Sequence, residues 1–528
     1  MMRLFFFLLL TGTLHAQVTL TNSNLPILVI TTDEEIPDEP KITGELGVVW
    51  NEDGSRNFLS QGFNHYDGQI GIEVRGSTSQ FFPKKGYALE TRNADGSNNN
   101  VELLGMPSEN DWVLHGPFSD KTLLRNALAY QLAADVGRYA PRVRMVELVL
   151  NDDYRGVYLL TERIKRDGDR VDIKKLDPDD LDGDALTGGY ILKIDKFTGA
   201  VADGFVSEYA PIPDSFQQTF FQFHYPKPED IQPAQATYIE NYVRDFEDAL
   251  LSDDWLDPQD GYRRYLDVDA FIDFMWTQEI TRNTDAYRLS TFFSKDRDSE
   301  GGKLTFGPVW DFNLAFANAD YCLGSGYEGW AWDFNDFCPG DGWVIHFWWE
   351  RLRADPVFWQ QARDRWAELR QTVWSDDALL TRIDDLELRI SEGAGRNFVR
   401  WPILNDWVWP NPVWLGTHAA EVDRVRDWLL DRAAWIDGQL LEPTSAAELI
   451  TDVPLTVAPN PGRAFVFTFG APVDGTLRVF DALGRVVFTH ALAGDTHVHW
   501  HATELPSGTY FYDFIGESGA ARGRLVRR

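Results

Sequence analysis

Cysteine, long apolar runs and basic charge are all scarce in this chain. Only Cys322 and Cys338 are cysteine among 528 residues, so the chain can form at most one intramolecular disulfide. No apolar stretch approaches the roughly 18 residues of a membrane-spanning helix. Lys plus Arg number 49 against 82 Asp plus Glu, and the resulting net charge of -33 disfavours binding to nucleic acid or to anionic lipid.

Several well-known catalytic motifs are also missing. The chain has no Gly-x-Ser-x-Gly nucleophile elbow, no His-Glu-x-x-His zinc helix, and no Walker or protein-kinase glycine pattern. Apolar residues are nevertheless plentiful at 44%, with 20 tryptophans, so the chain can bury large cores and is not disordered. Its length predicts about two to four domains.

The negative charge is confined to the first 450 residues. Residues 451–528 hold seven acidic and seven basic side chains, whereas residues 1–450 hold 75 acidic and 42 basic ones. The two regions therefore differ in character, and we expect them to be separate domains.

Residues 1–16 have the pattern of an export signal peptide. Met1-Met2-Arg3 precedes a short apolar run, and Ala16 is a small residue at the expected cleavage point. The run is too short to span a bilayer. We expect a protein exported through the inner membrane and then secreted or attached at the outer cell surface. In that oxidising setting the two cysteines can form a disulfide, and the alternative is two buried free thiols.

Apolar periodicity divides the main region into a strand-rich front and a helix-rich back. Up to about residue 217, short runs such as residues 70–75 alternate with period two, which is typical of strands, and a helix over residues 121–136 interrupts them. Beyond residue 230 the spacing becomes helical, and helices are expected to begin after Asp267 and Asp355. The prediction is one α+β domain over residues 25–440.

The end of the chain differs from this domain. Residues 441–454 resemble a linker, because they contain Glu442-Pro443-Thr444-Ser445 and no periodic apolar pattern. Residues 455–528 alternate in short strands separated by turn sequences such as Pro506-Ser507-Gly508. These features predict a small all-β sandwich.

Two aspartates flank a predicted hairpin. Asp285 precedes a strand over residues 289–294, and Asp311 follows the returning strand over residues 303–309. If the strands pair symmetrically, both carboxylates reach the same end of the hairpin. Such a pair can serve phosphoryl transfer, with one carboxylate orienting the acceptor and the other holding a metal ion. It can equally serve a glycosidase, or simply cap strand ends.

Basic side chains for phosphate binding are found in two places. The loop after Arg75 is rich in small residues and is followed by Lys84 and Lys85, although a plain β-turn also explains it. Lys193 lies within an alternating strand, and Glu162 lies in a strand that could be its neighbour. A buried Lys–Glu pair would orient phosphates, whereas an exposed cross-strand pair has no such role.

Ordered motifs over residues 25–440 resemble the CotH family of atypical secreted kinases. They include Glu73-Val74-Arg75-Gly76-Ser77, Phe82-Pro83-Lys84-Lys85, Asp120-Lys121-Thr122-Leu123-Leu124-Arg125-Asn126, Gly188-Gly189-Tyr190-Ile191-Leu192-Lys193, Asn283-Thr284-Asp285 and Pro308-Val309-Trp310-Asp311. The resemblance implies a distant protein-kinase-like fold that uses ATP with Mg²⁺ or Mn²⁺. It also implies that Asp285 is catalytic and that Asp311 binds the metal ion.

The chain departs from this family at two positions. A second aspartate often follows the Trp-Asp element, and Asn313 stands there in this chain as a weaker metal ligand. An aromatic residue that can stack on adenine often precedes the element, and Thr305 stands there instead. These departures leave open a relative that binds a partner without transferring phosphate.

Residues 455–528 resemble the C-terminal sorting domain of the type IX secretion system of Bacteroidota. The matching elements are Ala458-Pro459-Asn460-Pro461, Val479-Phe480-Asp481-Ala482-Leu483-Gly484-Arg485, Leu505-Pro506-Ser507-Gly508-Thr509-Tyr510-Phe511 and Gly523-Arg524-Leu525-Val526-Arg527-Arg528. The resemblance implies that the secretion machinery is a partner. It also implies a final location outside the cell or on its surface.

The sequence thus leads to one main functional hypothesis and one alternative. The main hypothesis is a secreted or cell-surface atypical protein kinase that transfers phosphate from ATP to Ser or Thr of an unknown protein, or to itself. The alternative is a catalytically weak or inactive surface module that binds polysaccharide or matrix protein, for which the tryptophan-rich segment 401–414 could stack on sugars.

Overall fold

The computed structural model describes residues 18–196, 203–213, 216–440, 453–481, 485–503, 505–516 and 519–528. The chain divides into two compact units, one ending at Gly438 and one beginning at Gln439. Among the described residues, no helix has both the length and the apolar character needed to cross a membrane. The predicted export signal and most of the predicted linker lie outside the described residues.

The first unit begins with a closed seven-stranded barrel. In spatial order its strands are Val143–Leu150, Asp153–Glu162, Asp111–His115, Gly86–Thr91, Tyr66–Arg75, Ile42–Val49 and Ile27–Thr31. The closing pair, Ile27–Thr31 with Val143–Leu150, is parallel, and the other pairs are antiparallel. Alternate residues such as Ile70 and Ile72 point into a fully buried core, as the period of two predicts.

A second, five-stranded antiparallel sheet follows the barrel. Its spatial order is Gly204–Val206, Phe220–Tyr225, Tyr190–Ile194, Thr291–Lys295 and Leu304–Phe306. The predicted hairpin is therefore present, but its strands are shorter than expected. Phe293 pairs with Phe306, and a continued ladder in that register would place Asp311 opposite Arg288 rather than Asp285. The symmetric pairing that we expected for the two aspartates is wrong, because both lie outside the ladder.

Helices form most of the rest of the unit. The longer ones are Arg125–Asp135, here called α1, Pro233–Leu251, Val268–Thr281, Pro356–Gln371, Asp376–Arg400 and His418–Leu440. The predicted starts after Asp267 and Asp355 are confirmed, since these side chains accept hydrogen bonds from the amides of Ala270 and Val357. The α+β prediction is confirmed as well.

The described part of this unit also contains shorter elements. They include the helices Gly183–Leu186, Phe334–Phe337 and Trp348–Ala354, the strand pair Asn22–Ser23 with Asn57–Phe58, and the hairpin Val101–Leu103 with Met106–Glu109. Helix α1 begins later than the predicted residue 121, because the chain before it turns at Leu123, which has a left-handed φ of 62°.

In the second unit, the described residues from 453 onwards are mostly in strands. They are Leu455–Ala458, Ala464–Phe480, Val486–His501, Gly508–Gly516 and Gly519–Arg527, joined in one antiparallel sheet. Aromatic side chains such as Phe467 and Phe514 are buried in its core. The all-β character agrees with the sequence pattern, while a two-layered sandwich stays a prediction.

Candidate active site

A cleft of about 610 Å³ contains both aspartates that the hairpin argument selected. The barrel contributes the loop after Arg75 and the segment from His115 to Asp120, and the five-stranded sheet contributes the end of strand Tyr190–Ile194. The charged side chains that line it include Arg75, Lys193, Asp195, Lys196, Asp285, Arg288, Asp311 and Asp341. Opposite charges thus meet in one cavity, which is typical of a site for a charged ligand.

Asn283 connects the two aspartates directly. Its side-chain amide donates a hydrogen bond to the carbonyl oxygen of Asp311 at 3.2 Å, and its side-chain oxygen accepts one from the amide of Asp285 at 3.3 Å. The helix Val268–Thr281 ends just before it, at Arg282, which has a left-handed φ of 41°. The chain therefore leaves the helix in a sharp turn that brings the Asn-x-Asp element against the Trp-Asp element.

Asp311 occupies an unusual backbone and electrostatic environment. Its φ of 62° lies in the left-handed region, which Asp tolerates better than most residues. Burial raises the pKa of its carboxyl to about 7, and the negative charges of Asp285 and Asp195 add to this effect. A cation bound here would relieve the repulsion among these carboxylates.

Asp285 is held by an arginine. One terminal nitrogen of Arg288 lies 3.1 Å from an oxygen of Asp285, and the other lies 3.1 Å from an oxygen of Asp341. Burial raises the pKa of Asp285, and the positive charge of Arg288 opposes this rise. Because Arg288 is itself almost fully buried, the Asp285 carboxylate has a fixed orientation towards the cleft.

Three further cations line the same cleft. The guanidinium carbon of Arg75 lies 5.4 Å from the ring centre of Trp310, the residue before Asp311. Lys193 lies 3.9 Å from Asp195, and the ammonium group of Lys196 is 3.4 Å from the hydroxyl of Thr78. Cations and a carboxylate pair in one cleft suit a ligand that carries phosphate groups with a metal ion.

A family model described as CotH kinase protein matches residues 72–436, more than half of the chain. The chain belongs to the CotH kinase protein family. The matched range includes the loop after Arg75 and both aspartates, so the family similarity and the cleft coincide. No curated protein shows significant similarity to the chain.

Not all cations that the sequence suggested reach the cleft of this CotH family member. Lys193 and Arg75 line it, but Lys84 is buried elsewhere, where its ammonium group donates to the carbonyl oxygen of Val157 at 2.6 Å and to Asn397 at 2.8 Å. Lys85 donates to the carbonyl oxygen of Gln80 and is not among the residues that form the cleft.

Glu162 is also directed away from Lys193. Their strands belong to different sheets, so the neighbouring arrangement that the sequence allowed is not formed. Glu162 instead accepts hydrogen bonds from the amide of Arg142 at 2.9 Å and from its guanidinium at 3.0 Å, with the hydroxyl of Tyr139 at 3.2 Å. It is buried in a local network that stabilises the barrel.

The two positions that depart from the family pattern lie in different cavities. Asn313 lines the cleft with Asp311. Thr305 lines a separate cavity of about 760 Å³, together with residues such as Tyr139, Ile173 and Val309. The segment before Asp311 borders both cavities: Val309 lines the larger cavity, and the next residue, Trp310, lines the cleft.

Cys322 and Cys338 form a disulfide beside the cleft, with their Cα atoms 5.3 Å apart. The neighbouring residues Tyr321 and Asp341 line the cleft, so the disulfide connects two parts of its wall. Among the described residues, these two cysteines and Asp341 form the one cluster of three or more His, Cys, Asp or Glu side chains whose ligand atoms lie close enough together to hold a metal ion. Because the cysteines are bonded to each other, they provide no thiolate for a metal ion.

Sequence reasoning missed several residues of this site. Asp195 and Lys196 directly follow the strand that contains Lys193, and Arg288 follows Asp285 by three residues. Their closeness in sequence to selected residues was the available signal. Tyr130, which contacts Asp311 from α1, carried no such signal, because its contact spans 181 residues of sequence.

Proposed function

We propose that this protein is a secreted, metal-dependent protein kinase that transfers the terminal phosphate of ATP to Ser or Thr of another protein, or to itself. The observation that carries the proposal is the bridge by Asn283, which brings Asp285 and Asp311 to one cleft. Family membership supports a kinase-like protein. The donor set of the cleft supports ATP with a divalent cation as the ligand.

The residues present fit Mg²⁺ or Mn²⁺ together with phosphates. Asp311 and Asn313 offer oxygen ligands, which these cations prefer, and Mg²⁺ in nucleotide sites often uses one or two protein ligands. Arg75, Lys193 and Lys196 would bind the phosphate oxygens. When bound, the cation neutralises the charge that develops on the transferred phosphoryl group.

Asp285 would act on the acceptor hydroxyl. Its carboxylate lines the cleft and is oriented by Arg288, so it can accept a hydrogen bond from a hydroxyl group and direct an oxygen lone pair towards the phosphorus. The same arginine also pairs with Asp341, so the guanidinium that orients Asp285 is itself held by a second carboxylate. This arrangement keeps the carboxylate in place before substrate arrives.

Phosphate transfer by the purified mature chain tests the proposal. We expect incorporation of the terminal phosphate of ATP, with Mg²⁺ or Mn²⁺, into the protein itself or into a degenerate Ser/Thr peptide library. Asp285→Asn should reduce the rate at least about 100-fold, in line with loss of a positioned acid–base group. Asp320→Asn, an exposed substitution nearby, is the matched control. A wild-type protein whose melting temperature does not respond to ATP with either cation would exclude this function.

A second candidate function is a surface module that binds polysaccharide or matrix protein. Trp407, Trp409 and Trp414 are 54%, 39% and 47% exposed, although large aromatic side chains are usually buried. Trp409 lies parallel to Tyr321, with ring centres 6.2 Å apart, and both line the cleft. Binding to a glycan array that persists after replacement of both Asp285 and Asp311, in a protein without response to ATP, would select this function.

We also propose that residues 455–528 direct the protein through the type IX secretion machinery to the cell surface. Their all-β structure and the basic end of the chain support such a role. Deletion of these residues should leave the kinase-like unit in the periplasm. Secretion of the shortened protein at the normal level would contradict the proposal.

A further inference from the structure

Helix α1 forms hydrogen bonds to the backbone of the segment that contains Asp311. Asn126 and Tyr130 are four residues apart and therefore lie on one face of the helix. The side-chain oxygen of Asn126 accepts a hydrogen bond from the amide of Phe312 at 2.6 Å, and the hydroxyl of Tyr130 accepts one from the amide of Asp311 at 3.2 Å. Two consecutive amides are thus satisfied by side chains of a single helix.

Arg125, at the start of α1, holds the other end of the same segment. It donates hydrogen bonds to the carbonyl oxygens of Ala315 at 3.1 Å and Phe316 at 3.2 Å. Its guanidinium is fixed by the buried carboxylate of Asp120 at 2.5 Å. Helix α1 therefore contacts both donors and acceptors of one loop.

The loop from Asp311 to Ala317 requires such support. Asp311, Phe316 and Ala317 have φ angles of 62°, 51° and 64°, a region that costs a residue with a side chain roughly 1–2 kcal/mol. The loop lies outside the described strands and helices, so it has no ladder partners of its own. Side chains of α1 supply partners for two amides and two carbonyl oxygens of the loop, while Asn283 donates to the carbonyl oxygen of Asp311 and the carbonyl oxygen of Thr281 accepts from the amide of Phe316.

Tyr130 also supports the phosphate side of the cleft. Its ring stacks on Trp310 at 6.1 Å and an angle of 24°, and the guanidinium of Arg75 lies over the same Trp310 ring. One side chain thus contacts the backbone of the expected metal ligand and, through Trp310, the expected phosphate-binding arginine.

We propose that Asn126 and Tyr130 are positioning residues, which hold the backbone of Asp311 in the conformation that directs its carboxylate into the cleft. The proposal rests on the proposed function, because it assigns Asp311 a metal ion to bind. A displacement of α1 would weaken metal binding without changing any ligand.

Substitutions that separate hydrogen bonding from packing test this role. Asn126→Leu removes the acceptor with little change in volume, Asn126→Asp keeps it, and Tyr130→Phe keeps the ring stack while it removes the hydroxyl. Gln131→Leu is the matched control, because Gln131 lies on α1 and is half-buried. Two readouts apply to the full mature chain: amide hydrogen exchange of a peptide over residues 307–318, and Mn²⁺ affinity measured by calorimetry without nucleotide.

We expect faster exchange and a rise in the Mn²⁺ dissociation constant of about fivefold or more for Asn126→Leu and Tyr130→Phe, as for the loss of one hydrogen bond. Asn126→Asp should stay close to wild type in exchange, and Gln131→Leu in both readouts. Unchanged exchange would overturn the proposal, and so would faster exchange with unchanged Mn²⁺ affinity, which would indicate a structural role only.

The two proposals fail in different ways. A wild-type protein that binds Mn²⁺ through Asp311 but transfers no phosphate would overturn the kinase function and leave the positioning role intact. A wild-type protein that binds no Mn²⁺ would overturn the positioning role too. If Asn126→Leu does not fold, Tyr130→Phe decides the matter, because it preserves every ring contact of Tyr130.

Discussion

Replacement of Asp311 by asparagine should stabilise the metal-free protein while it removes the expected metal site. The carboxylate is crowded by Asp285 and Asp195, and its pKa is raised from 3.8 to about 7. No hydrogen bond to this carboxylate is found among the described residues, and Asn tolerates the left-handed φ of 62° as Asp does. Asp311→Asn therefore removes a negative charge with little other change.

The size of the effect follows from the pKa. Each unit by which the pKa in the folded state exceeds the pKa in the unfolded state corresponds to about 1.4 kcal/mol. The ionised Asp311 carboxylate therefore costs the folded state at most about 4 kcal/mol. Solvent reaches part of the side chain and screens the repulsion, so we expect a gain in free energy of unfolding of about 1–2 kcal/mol for Asp311→Asn at pH 8.

The stability gain of Asp311→Asn should depend on pH in a defined direction. In the wild type the cost is fully present above pH 7 and disappears as the pH falls towards 4, because the carboxyl gains its proton in the folded state first. The advantage of Asp311→Asn should therefore be fully present at pH 8 and fall to roughly two fifths of that size at pH 5. Urea unfolding in the presence of a chelator measures this difference.

Two results would refute the reasoning about Asp311. One is a variant that is less stable than wild type at pH 8, and the other is a gain of equal size at pH 5 and pH 8. Addition of Mg²⁺ should stabilise the wild type and not the variant, whereas the control Asp320→Asn should respond like wild type.

Five further substitutions test the assignment of individual residues. Lys193→Met should raise the KM for ATP about tenfold or more, whereas Lys84→Met should leave the KM unchanged. Lys84→Met should instead lower the free energy of unfolding by about 1–3 kcal/mol, because the buried acceptors of Lys84 lose their donor. Equal effects on KM would contradict the placement of Lys84. Gly76→Ala and Gly96→Ala both place a side chain at a positive φ, of 109° and 83°, but a methyl group at Gly76 would also clash with the side chain of Ser79, whereas the space at Gly96 is open. Because Gly76 lines the cleft, Gly76→Ala and not Gly96→Ala should raise the KM for ATP in kinetic assays. Glu162→Gln should lower the midpoint of urea unfolding with no change in KM, because its partners Tyr139 and Arg142 lie just before the barrel strand Val143–Leu150 and do not line the cleft. A raised KM would contradict this placement of Glu162 outside the nucleotide site.

Local sequence patterns predicted the secondary structure well. The alternation over residues 70–75 corresponds to the strand Tyr66–Arg75, and the helices after Asp267 and Asp355 begin where capping residues indicated. These features depend on contacts within a few residues, so the sequence contains them directly. Closure of seven strands into a barrel was not predicted, because it depends on a parallel pairing between Ile27–Thr31 and Val143–Leu150.

The aspartate pair shows both the strength and the limit of sequence reasoning. The hairpin between Asp285 and Asp311 correctly predicted that the chain returns to the same place. The register was wrong, because Phe293 pairs with Phe306 and the ladder has only three residue pairs, which leaves both aspartates in loops. Asn283, rather than a strand ladder, brings the two elements together.

The sequence by itself determined the two regions of different charge, the α+β character and the motifs that resemble the CotH family. It also selected Asp285 and Asp311 as candidate site residues. Only the tertiary structure decided which charges share a cleft: it added Asp195, Lys196 and Arg288, directed Lys84 and Glu162 elsewhere, and placed α1 against Asp311. The physical reason is the sequence distance over which each kind of interaction acts. Periodicity and capping act over a few residues, whereas the electrostatics of a site arise from side chains that only the packing of distant elements brings together.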